Sequence, residues 1–164
     1  MTGRLLKILT ELHDHGVDFV IVGGVAAALH GSSRATFDLD IVPSLAPDSW
    51  QAAVDLLWAL GARPRIPEPL ERIRDVEHVR RWRVEKNMLA LNFRTSDDTA
   101  EVDLLVSHSD EFEQLRGRAI QVSIGDRTFS VASIDDLLAM KRASGRPQDI
   151  LDIQELQRIR MRLD

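Results

Sequence analysis

The chain has 164 residues, a formal net charge of −5 and no cysteine, and 44% of its residues are hydrophobic. This length predicts one domain with a substantial core. The lack of cysteine excludes a disulfide scaffold, a thiol nucleophile and a cysteine-ligated zinc site, and the acidic balance argues against coating nucleic acid through bulk charge. No apolar run approaches the roughly 18 residues of a membrane span. We therefore expect a cytosolic (cytoplasmic) protein without membrane contact.

Helices and strands alternate along the chain. Helical spacing of apolar residues, continuous apolar runs and strict alternation predict the elements, and Gly and Pro mark their ends. In the first half of the chain, the predicted helices cover 5–12, 25–29, 47–60 and 70–82, and the predicted strands cover 19–22 and 37–42. In the second half, strands are predicted over 88–93 and 100–106, a helix over 110–115, and a hairpin of 120–124 with 128–131. A helix over 133–140 and a last helix from 147 follow. The pattern predicts an α/β (α+β) fold, with a mixed β-sheet flanked by helices and further helices at the C-terminal end.

Some individual side chains can be placed from these patterns. Trp50 and Trp58 are predicted to lie in the core, and the last helix is predicted to bury Ile150, Ile153, Leu156 and Ile159. The five histidines have no partner at metal-ligand spacing, so we expect them to be structural or solvated.

Basic residues are concentrated in one segment. Residues 63–86 contain eight basic and five acidic residues, which leaves a charge of +3 there and −8 elsewhere. This is a modest local field rather than a basic tail. Trp82 lies among the arginines of this segment; it is predicted to pack against the sheet, and the alternative is that it stacks on a nucleic-acid base.

Two aspartates lie in the strand predicted over 37–42. Because alternate strand residues point to the same face, Asp38 and Asp40 project together, while Phe37 and Leu39 project to the other face. Adjacent carboxylates repel each other, and burial increases that cost. A divalent cation between them removes it, and oxygen ligands without cysteine favour Mg²⁺ or Mn²⁺ over zinc. A solvated strand face is the alternative.

A later strand adds a third carboxylate. Asp103 alternates with the apolar Val102 and Leu104, so it faces the same site if the two strands are neighbours. Glu101 lies on the same face and competes for the ligand role. Three acids on two strands hold two metal ions in enzymes that displace a phosphoryl or nucleotidyl group in line.

A pair of glycines separates the strand over 19–22 from the next helix. The backbone N–H groups of Gly23 and Gly24 can receive a phosphate there, whereas a plain tight turn is the alternative. Strand, Gly-Gly, helix and then a strand with Asp-x-Asp is a much more specific pattern than the glycines alone.

Several segments together resemble the polymerase-β-type nucleotidyltransferase superfamily, and the branch they resemble most is the AbiEii-like group of abortive-infection and toxin–antitoxin systems. The first motif is carried by Ile21-Val22-Gly23-Gly24-Val25-Ala26-Ala27, His30-Gly31, Arg34-Ala35-Thr36 and Asp38-Leu39-Asp40-Ile41. The second motif is Val102-Asp103-Leu104, and the C-terminal element is Lys141 followed by Arg146-Pro147-Gln148-Asp149-Ile150-Leu151-Asp152. The resemblance extends over about residues 17–157.

The resemblance implies a minimal nucleotidyltransferase fold and a single nucleotidyltransferase-like domain over residues 1–164. By that resemblance, Asp38 and Asp40 bind both Mg²⁺ ions and Asp103 binds one of them, and Asp103 also positions or deprotonates the attacking hydroxyl. Lys141 completes the implied catalytic set.

The resemblance also implies a nucleotide site. Its residues are Gly23, Gly24, Ser32, Ser33, Arg34, Lys141 and Asp149. Arg34 and Lys141 would steady the triphosphate, and Asp149 would orient Lys141 or the substrate, although Arg146 could also simply pair with Asp149 across one helical turn. Many members of the superfamily have Gly-Ser where this chain has Gly-Gly, so a hydroxyl contact to phosphate would come from Ser32 or Ser33.

The implied activity is transfer of a nucleoside monophosphate (NMP) from a nucleoside triphosphate (NTP, ATP for example) to a hydroxyl. We expect the acceptor to be RNA, such as a tRNA end, or a protein, in a toxin–antitoxin or defence setting with a cognate antitoxin as a candidate partner. Two alternatives stay open: a nucleotidyltransferase that modifies a small molecule such as an antibiotic, and a catalytically silent domain that binds a nucleotide or a partner protein. The intact carboxylates argue against the silent domain.

Overall fold

A computed structural model describes residues 1–164 and contains one sheet of seven strands. The strands are β1 (Phe19–Val22), β2 (Asp38–Pro43), β3 (Arg63–Pro64), β4 (Leu91–Arg94), β5 (Glu101–Leu104), β6 (Ile120–Ile124) and β7 (Arg127–Val131). The α-helices are α1 (Gly3–Asp14), α2 (Gly23–Leu29), α3 (Pro47–Ala59), α4 (Leu70–Arg74), α5 (Val76–Glu85), α6 (Phe112–Arg118), α7 (Ile134–Ser144) and α8 (Asp149–Leu163), and a 3₁₀ helix covers Val106–Glu111. The strand order is β3-β4-β5-β2-β1-β7-β6.

The centre of the sheet is formed by β2. It runs antiparallel to β1 and parallel to β5, and the register sets Asp40 opposite Val22 on one side and opposite Asp103 on the other. β4 pairs antiparallel with β5 and sets Asn92 opposite Asp103. The parallel pairing of β2 with β5 requires a crossover, which the chain makes through α3, α4, α5 and β4.

The core extends over both ends of the chain. All four residues of β1 are buried, as the continuous apolar run predicts for a strand inside a sheet. A single cluster of 41 buried residues reaches from Leu5 in α1 to Ile159 in α8. The N-terminal and C-terminal helices therefore pack on the same core. No helix has both the length and the apolar character needed to cross a bilayer.

The predicted mixed sheet with flanking helices is confirmed. Tertiary pairing changes several boundaries. The prediction for Phe37 is wrong, because β2 begins at Asp38, where pairing with Glu101 starts, and the Phe37 side chain is 63% exposed. Similarly, α2 begins at Gly23 rather than after the two glycines.

The single helix predicted over 70–82 is two helices. The backbone is extended at Asp75, whose carboxylate accepts a hydrogen bond from the Glu77 N–H at 2.9 Å and caps α5. Capping by a short acidic side chain at this position competes with continuation of the helix. Trp82, in α5, is buried, which favours packing into the core over an exposed ring that could stack on a base.

Two predicted core positions are wrong. Ile150 is 59% exposed because it lies in the first turn of α8, before the helix reaches the core at Leu156 and Ile159. Trp58 is only half-buried, and the Arg63 guanidinium lies over its ring, 3.8 Å from the ring centroid.

We expect Trp50→Ala to lower the free energy of unfolding by about 3–5 kcal/mol. The Trp50 side chain has no solvent exposure, and its indole N–H donates to the Ile73 carbonyl at 2.8 Å, so truncation leaves both a cavity and a buried acceptor without a partner. Urea unfolding followed by far-UV circular dichroism measures the loss. Trp58→Ala is the matched control and should cost much less. Equal losses in the two variants would contradict this account of the core.

Candidate active site

Four carboxylates lie on one face of the central strands. Asp38 and Asp40 alternate along β2, and the parallel register sets Asp40 opposite Asp103 and Asp38 opposite Glu101. On the other face of the same strands, Leu39 is fully buried in the core. The alternation that buries the apolar residues therefore brings the acids together, as the sequence pattern predicts.

Asp40 and Asp103 form the closest acidic pair. Burial, the neighbouring charge of Asp103 and a hydrogen bond between the two side chains together raise the pKa of Asp40 to about 7, and burial is the largest of these causes. Loss of solvent also raises the pKa of Asp38, with Glu101 and Asp103 adding to the effect. The fold thus holds these carboxylates close together although their negative charges repel each other. A positive charge between them would remove that repulsion.

Gly23 allows this arrangement through its missing side chain. It follows β1 directly and has a φ of +64°, in the left-handed region that favours glycine. A Cβ at Gly23 would lie 2.1 Å from the Asp40 Oδ2 atom, and one at Gly24 would lie 2.8 Å from the Thr36 Oγ1 atom. The missing side chains therefore let the backbone of Gly23 lie against the Asp40 carboxylate and that of Gly24 against Thr36.

Glu101 is occupied by other partners. Its Oε1 atom accepts from Arg65 at 2.6 Å and from Arg94 at 3.0 Å, and its Oε2 atom accepts from Asn92 at 3.2 Å. Glu101 is therefore held by three neighbouring side chains in this structure. The Asn92 amide also donates to Asp103 Oδ1 at 2.6 Å.

The opposite side of the site is formed by α7 and α8. Lys141 Nζ donates to Asp149 Oδ1 at 3.0 Å and to Asp152 Oδ2 at 2.6 Å. Burial alone would raise the pKa of Asp149, whose side chain is 1% exposed, but the hydrogen bonds from Lys141 and Ser144 hold that pKa well below its usual range. Asp149 therefore orients Lys141 in this structure, and the turn pairing with Arg146, at 3.3 Å, is present as well.

The loop between α2 and β2 brings the remaining predicted residues to the site. Arg34 forms an ion pair with Asp152, so this carboxylate joins both cations, Arg34 and Lys141. The Ser33 N–H donates to Glu155 Oε1 at 3.0 Å, and the Arg34 N–H donates to Ser32 Oγ at 3.3 Å. The loop is thereby tied to α8.

One cavity of about 240 Å³ joins these groups. Of the predicted site residues, it is lined by Gly23, Gly24, Ser32, Arg34, Asp38, Asp40, Asp103 and Lys141. Ser33 and Asp149 do not line the cavity but contact residues that do: Ser33 donates to Glu155, and Asp149 accepts from Lys141. The structure therefore gathers the predicted residues around a single polar space.

The donor set of this cavity fits a hard divalent cation. The carboxylates of Asp38, Asp40 and Asp103 provide oxygen ligands only, which suits Mg²⁺ or Mn²⁺, and the raised pKa of Asp40 indicates a site that a positive charge would stabilise. The side chains do not form a ready-made cluster of three ligands around one point. Asp40 and Asp103 make the nearest pair, and Asp38 lies toward solvent.

Sequence reasoning assigned no role to three residues of the site, although one of them, Asp152, is the last residue of the C-terminal motif. Asp152 and Glu155 follow Asp149 at steps of three along α8, so helical periodicity could have placed them on its face. Asn92 has no local pattern that marks it, because its contact with Asp103 depends on strand register. Among the histidines, His30 is structural: its Nε2 atom lies 2.8 Å from the Ala132 carbonyl oxygen.

Comparison with known proteins gives a family match and three similar structures. A family model described as "Nucleotidyltransferase of unknown function (DUF6036)" matches residues 4–164. No curated protein sequence matches the chain. The fold is similar to that of the lincosamide antibiotic adenylyltransferase LnuA with lincomycin bound, with a TM-score of 0.61 and 16% identity over 97% of this chain and 98% of that one.

Two further solved structures are similar in fold at low sequence identity. An antigenic nucleotidyltransferase-like protein from Paracoccidioides brasiliensis gives a TM-score of 0.57 with 16% identity, over 93% of this chain and 73% of that one. The antibiotic-resistance factor ANT(2'')-Ia gives 0.58 with 12% identity, over 98% and 82%. At these identities the likeness is one of fold.

We expect Gly23→Ala to destabilise the protein more than Gly125→Ala. Both glycines have a φ of +64°, but a Cβ at Gly125 meets nothing within 4 Å, whereas one at Gly23 collides with the Asp40 carboxylate. The left-handed backbone costs each variant about 1–2 kcal/mol, so any further loss in Gly23→Ala measures the close approach. Urea unfolding of both variants gives the comparison. Equal destabilisation would show that the contact between Gly23 and Asp40 is unimportant.

Proposed function

The chain belongs to the DUF6036 family of nucleotidyltransferases, and from that premise we propose that it transfers an NMP from an NTP to a hydroxyl group with the help of Mg²⁺ or Mn²⁺. The prediction of a nucleotidyltransferase is confirmed by the family match. The assignment to the AbiEii-like branch stays a prediction.

The register of β2 and β5 is the observation that carries the proposal. It sets Asp40 beside Asp103, with Asp38 two residues earlier, on the side of the sheet that faces Lys141 across the cavity. Carboxylates on one side and cations on the other match a metal-bound triphosphate, whose ions need anionic ligands and whose phosphate oxygens need cationic ones.

In the proposed reaction, the acceptor oxygen forms a bond to the α-phosphorus of the NTP, and the bond from that phosphorus to the oxygen bridging to the β-phosphorus breaks. Pyrophosphate leaves, and Asp103 positions the acceptor hydroxyl and takes its proton. Asp38, Asp40 and Asp103 would hold the divalent cations, whose positive charge would offset the negative charge that develops during the displacement.

The cationic side of the cavity would receive the triphosphate. Lys141 is held by the buried Asp149, so its ammonium group is already oriented before substrate binds. Arg34 is 57% exposed and has Asp152 as its partner, so it can exchange that carboxylate for a phosphate. The N–H groups of Gly23 and Gly24 and the hydroxyls of Ser32 and Ser33 would complete the phosphate contacts.

The acceptor is proposed to be a small molecule with a hydroxyl group. Most of the cations between residues 63 and 86 are already paired, which leaves little free charge for a nucleic-acid backbone. The pairs are Arg65 with Glu101, Arg72 and Lys86 with Glu68, Arg74 with Asp55, Arg80 with Glu77 and Arg83 with Asp110. The similarity to LnuA, an antibiotic adenylyltransferase matched over nearly its whole length, supports the same class of acceptor.

RNA and protein acceptors, in a toxin–antitoxin or defence setting, are the competing prediction. Incubation with each α-labelled NTP, Mg²⁺ and separate pools of hydroxyl-bearing small molecules, total RNA and cell protein distinguishes them. We expect label in the small-molecule pool only. Label in RNA or in protein would overturn the proposed acceptor and leave nucleotidyl transfer standing, whereas no transfer and no pyrophosphate release with any NTP and pool would contradict the proposed activity.

Arg81 provides a sharper test of the acceptor. It is exposed and forms no ion pair in this structure, unlike Arg80 and Arg83. With a small-molecule acceptor, Arg81→Glu should leave kcat and the KM of the acceptor unchanged. An RNA acceptor bound by this segment would instead lose affinity, and the salt dependence of its binding would become shallower by the contribution of about one phosphate contact.

We expect Asp40→Asn to abolish transfer, with a loss of at least about a hundredfold, while the fold is kept. The amide has no charge to offer a divalent cation, yet it relieves the repulsion between Asp40 and Asp103. The melting temperature in EDTA should therefore stay level or rise, while the rise produced by Mg²⁺ with NTP should shrink. Asp126→Asn, in the exposed hairpin turn, is the control. An Asp40→Asn protein that is folded and active would contradict the site.

A further inference from the structure

Asn92 lies beside the candidate active site but outside the lining of its cavity. It is opposite Asp103 in the antiparallel pairing of β4 with β5, and Asp103 is opposite Asp40 in the parallel pairing of β5 with β2. Asn92, Asp103 and Asp40 therefore occupy one row across three neighbouring strands, with spacings of about 4.7–4.9 Å between strands.

The amide of Asn92 is shared between two carboxylates. Its Nδ2 atom donates to Asp103 Oδ1 at 2.6 Å and to Glu101 Oε2 at 3.2 Å, which accounts for both of its protons. The bond to Asp103 is short, as expected for a donor to an ionised acceptor. It restrains the plane of the Asp103 carboxyl group and leaves the second oxygen of that group for Asp40 or an ion.

An amide suits this position better than the other common side chains would. A lysine or arginine would form a salt bridge with Asp103 and neutralise the charge that a cation needs. An aspartate would add another negative charge beside Asp40, Asp103 and Glu101. An aliphatic side chain would leave Asp103 free to rotate. A neutral donor orients the carboxylate and preserves its charge.

The other end of the Asn92 amide is also informative. Its Oδ1 atom is buried and has no hydrogen-bond partner, which is uncommon for a buried polar atom in a folded protein. The opposite amide orientation would satisfy Oδ1 no better, because it would point an oxygen at two carboxylates. In this orientation the Oδ1 acceptor has no partner, and both N–H donors are bonded to Glu101 and Asp103.

We infer that Asn92 is a positioning residue for the proposed reaction: its amide orients the Asp103 carboxylate so that Asp103 and Asp40 bind a divalent cation together. This inference rests on the proposed function, because it assigns Asn92 a role only if Asp103 is an ion ligand. Asn92 itself touches neither the nucleotide side of the cavity nor Lys141.

Two variants remove the donor in different ways. Asn92→Ala removes the side chain, and Asn92→Leu replaces it with an apolar group of similar shape that preserves strand packing. Gln121→Ala is the matched control, because Gln121 also uses its amide across a strand pair, donating to Ser130 Oγ at 3.1 Å on the distant β6–β7 hairpin.

Three measurements test the inference. Electron paramagnetic resonance of added Mn²⁺ reports ion binding without turnover, steady-state kinetics reports kcat and the KM of the NTP, and melting in EDTA reports stability without ions. We expect both Asn92 variants to bind Mn²⁺ about 10–100-fold more weakly and to lose kcat by a comparable factor, with the KM of the NTP little changed. The control should match the parent in all three.

The outcomes separate this inference from the proposed function. If the parent binds Mn²⁺ and transfers NMP, and the Asn92 variants do both equally well, the positioning role is wrong and the proposed function stands. If the variants lose Mn²⁺ affinity only in proportion to a lower melting temperature in EDTA, Asn92 is structural and the inference is overturned. If the parent neither binds Mn²⁺ nor transfers NMP, the proposed function fails and the inference fails with it.

Discussion

Repulsion between Asp40 and Asp103 is the constraint on which the rest of the site depends. The two carboxylates are held opposite each other by the parallel register of β2 and β5, and burial together with their mutual repulsion raises the pKa of Asp40. What keeps them together is the other face of the same strands, where Leu39 and Val102 are fully buried. Burial of apolar area stabilises the pairing by more than the repulsion costs, so the core holds the acids in place.

The opposite side of the cavity balances this charge with a second network. Asp149 is buried yet keeps its charge because Lys141 donates to it, and Asp152 accepts from both Lys141 and Arg34. Lys141 is thus held by two carboxylates, while Arg34 has one partner and is largely exposed. Lys141 and Arg34 lie across the same cavity from Asp38, Asp40 and Asp103, an arrangement suited to a ligand that carries both phosphates and cations.

The basic residues of the segment over 63–86 are mostly neutralised by ion pairs. The segment over 63–86 has a positive balance, but its folded environment pairs most of those cations with acids from α3, β5 and its own helices. Surface pairs of this kind add little stability individually. Their effect here is to reduce the free positive charge next to the site, so the charge count along the chain overstates the field that a nucleic acid would meet.

Alternation and helical spacing are local properties, so most helices and strands, and the face on which each strand residue lies, can be predicted from the sequence. The common face of Asp38 and Asp40, the buried β1 and the glycine pair next to them follow from such patterns. Tertiary packing is what brings Asn92 to Asp103, two arginines to Glu101, and Arg34 to the Asp152 carboxylate that Lys141 also contacts. These contacts join residues far apart in the chain, and the register and helix packing that produce them come from burying the whole core at once, which no local pattern records.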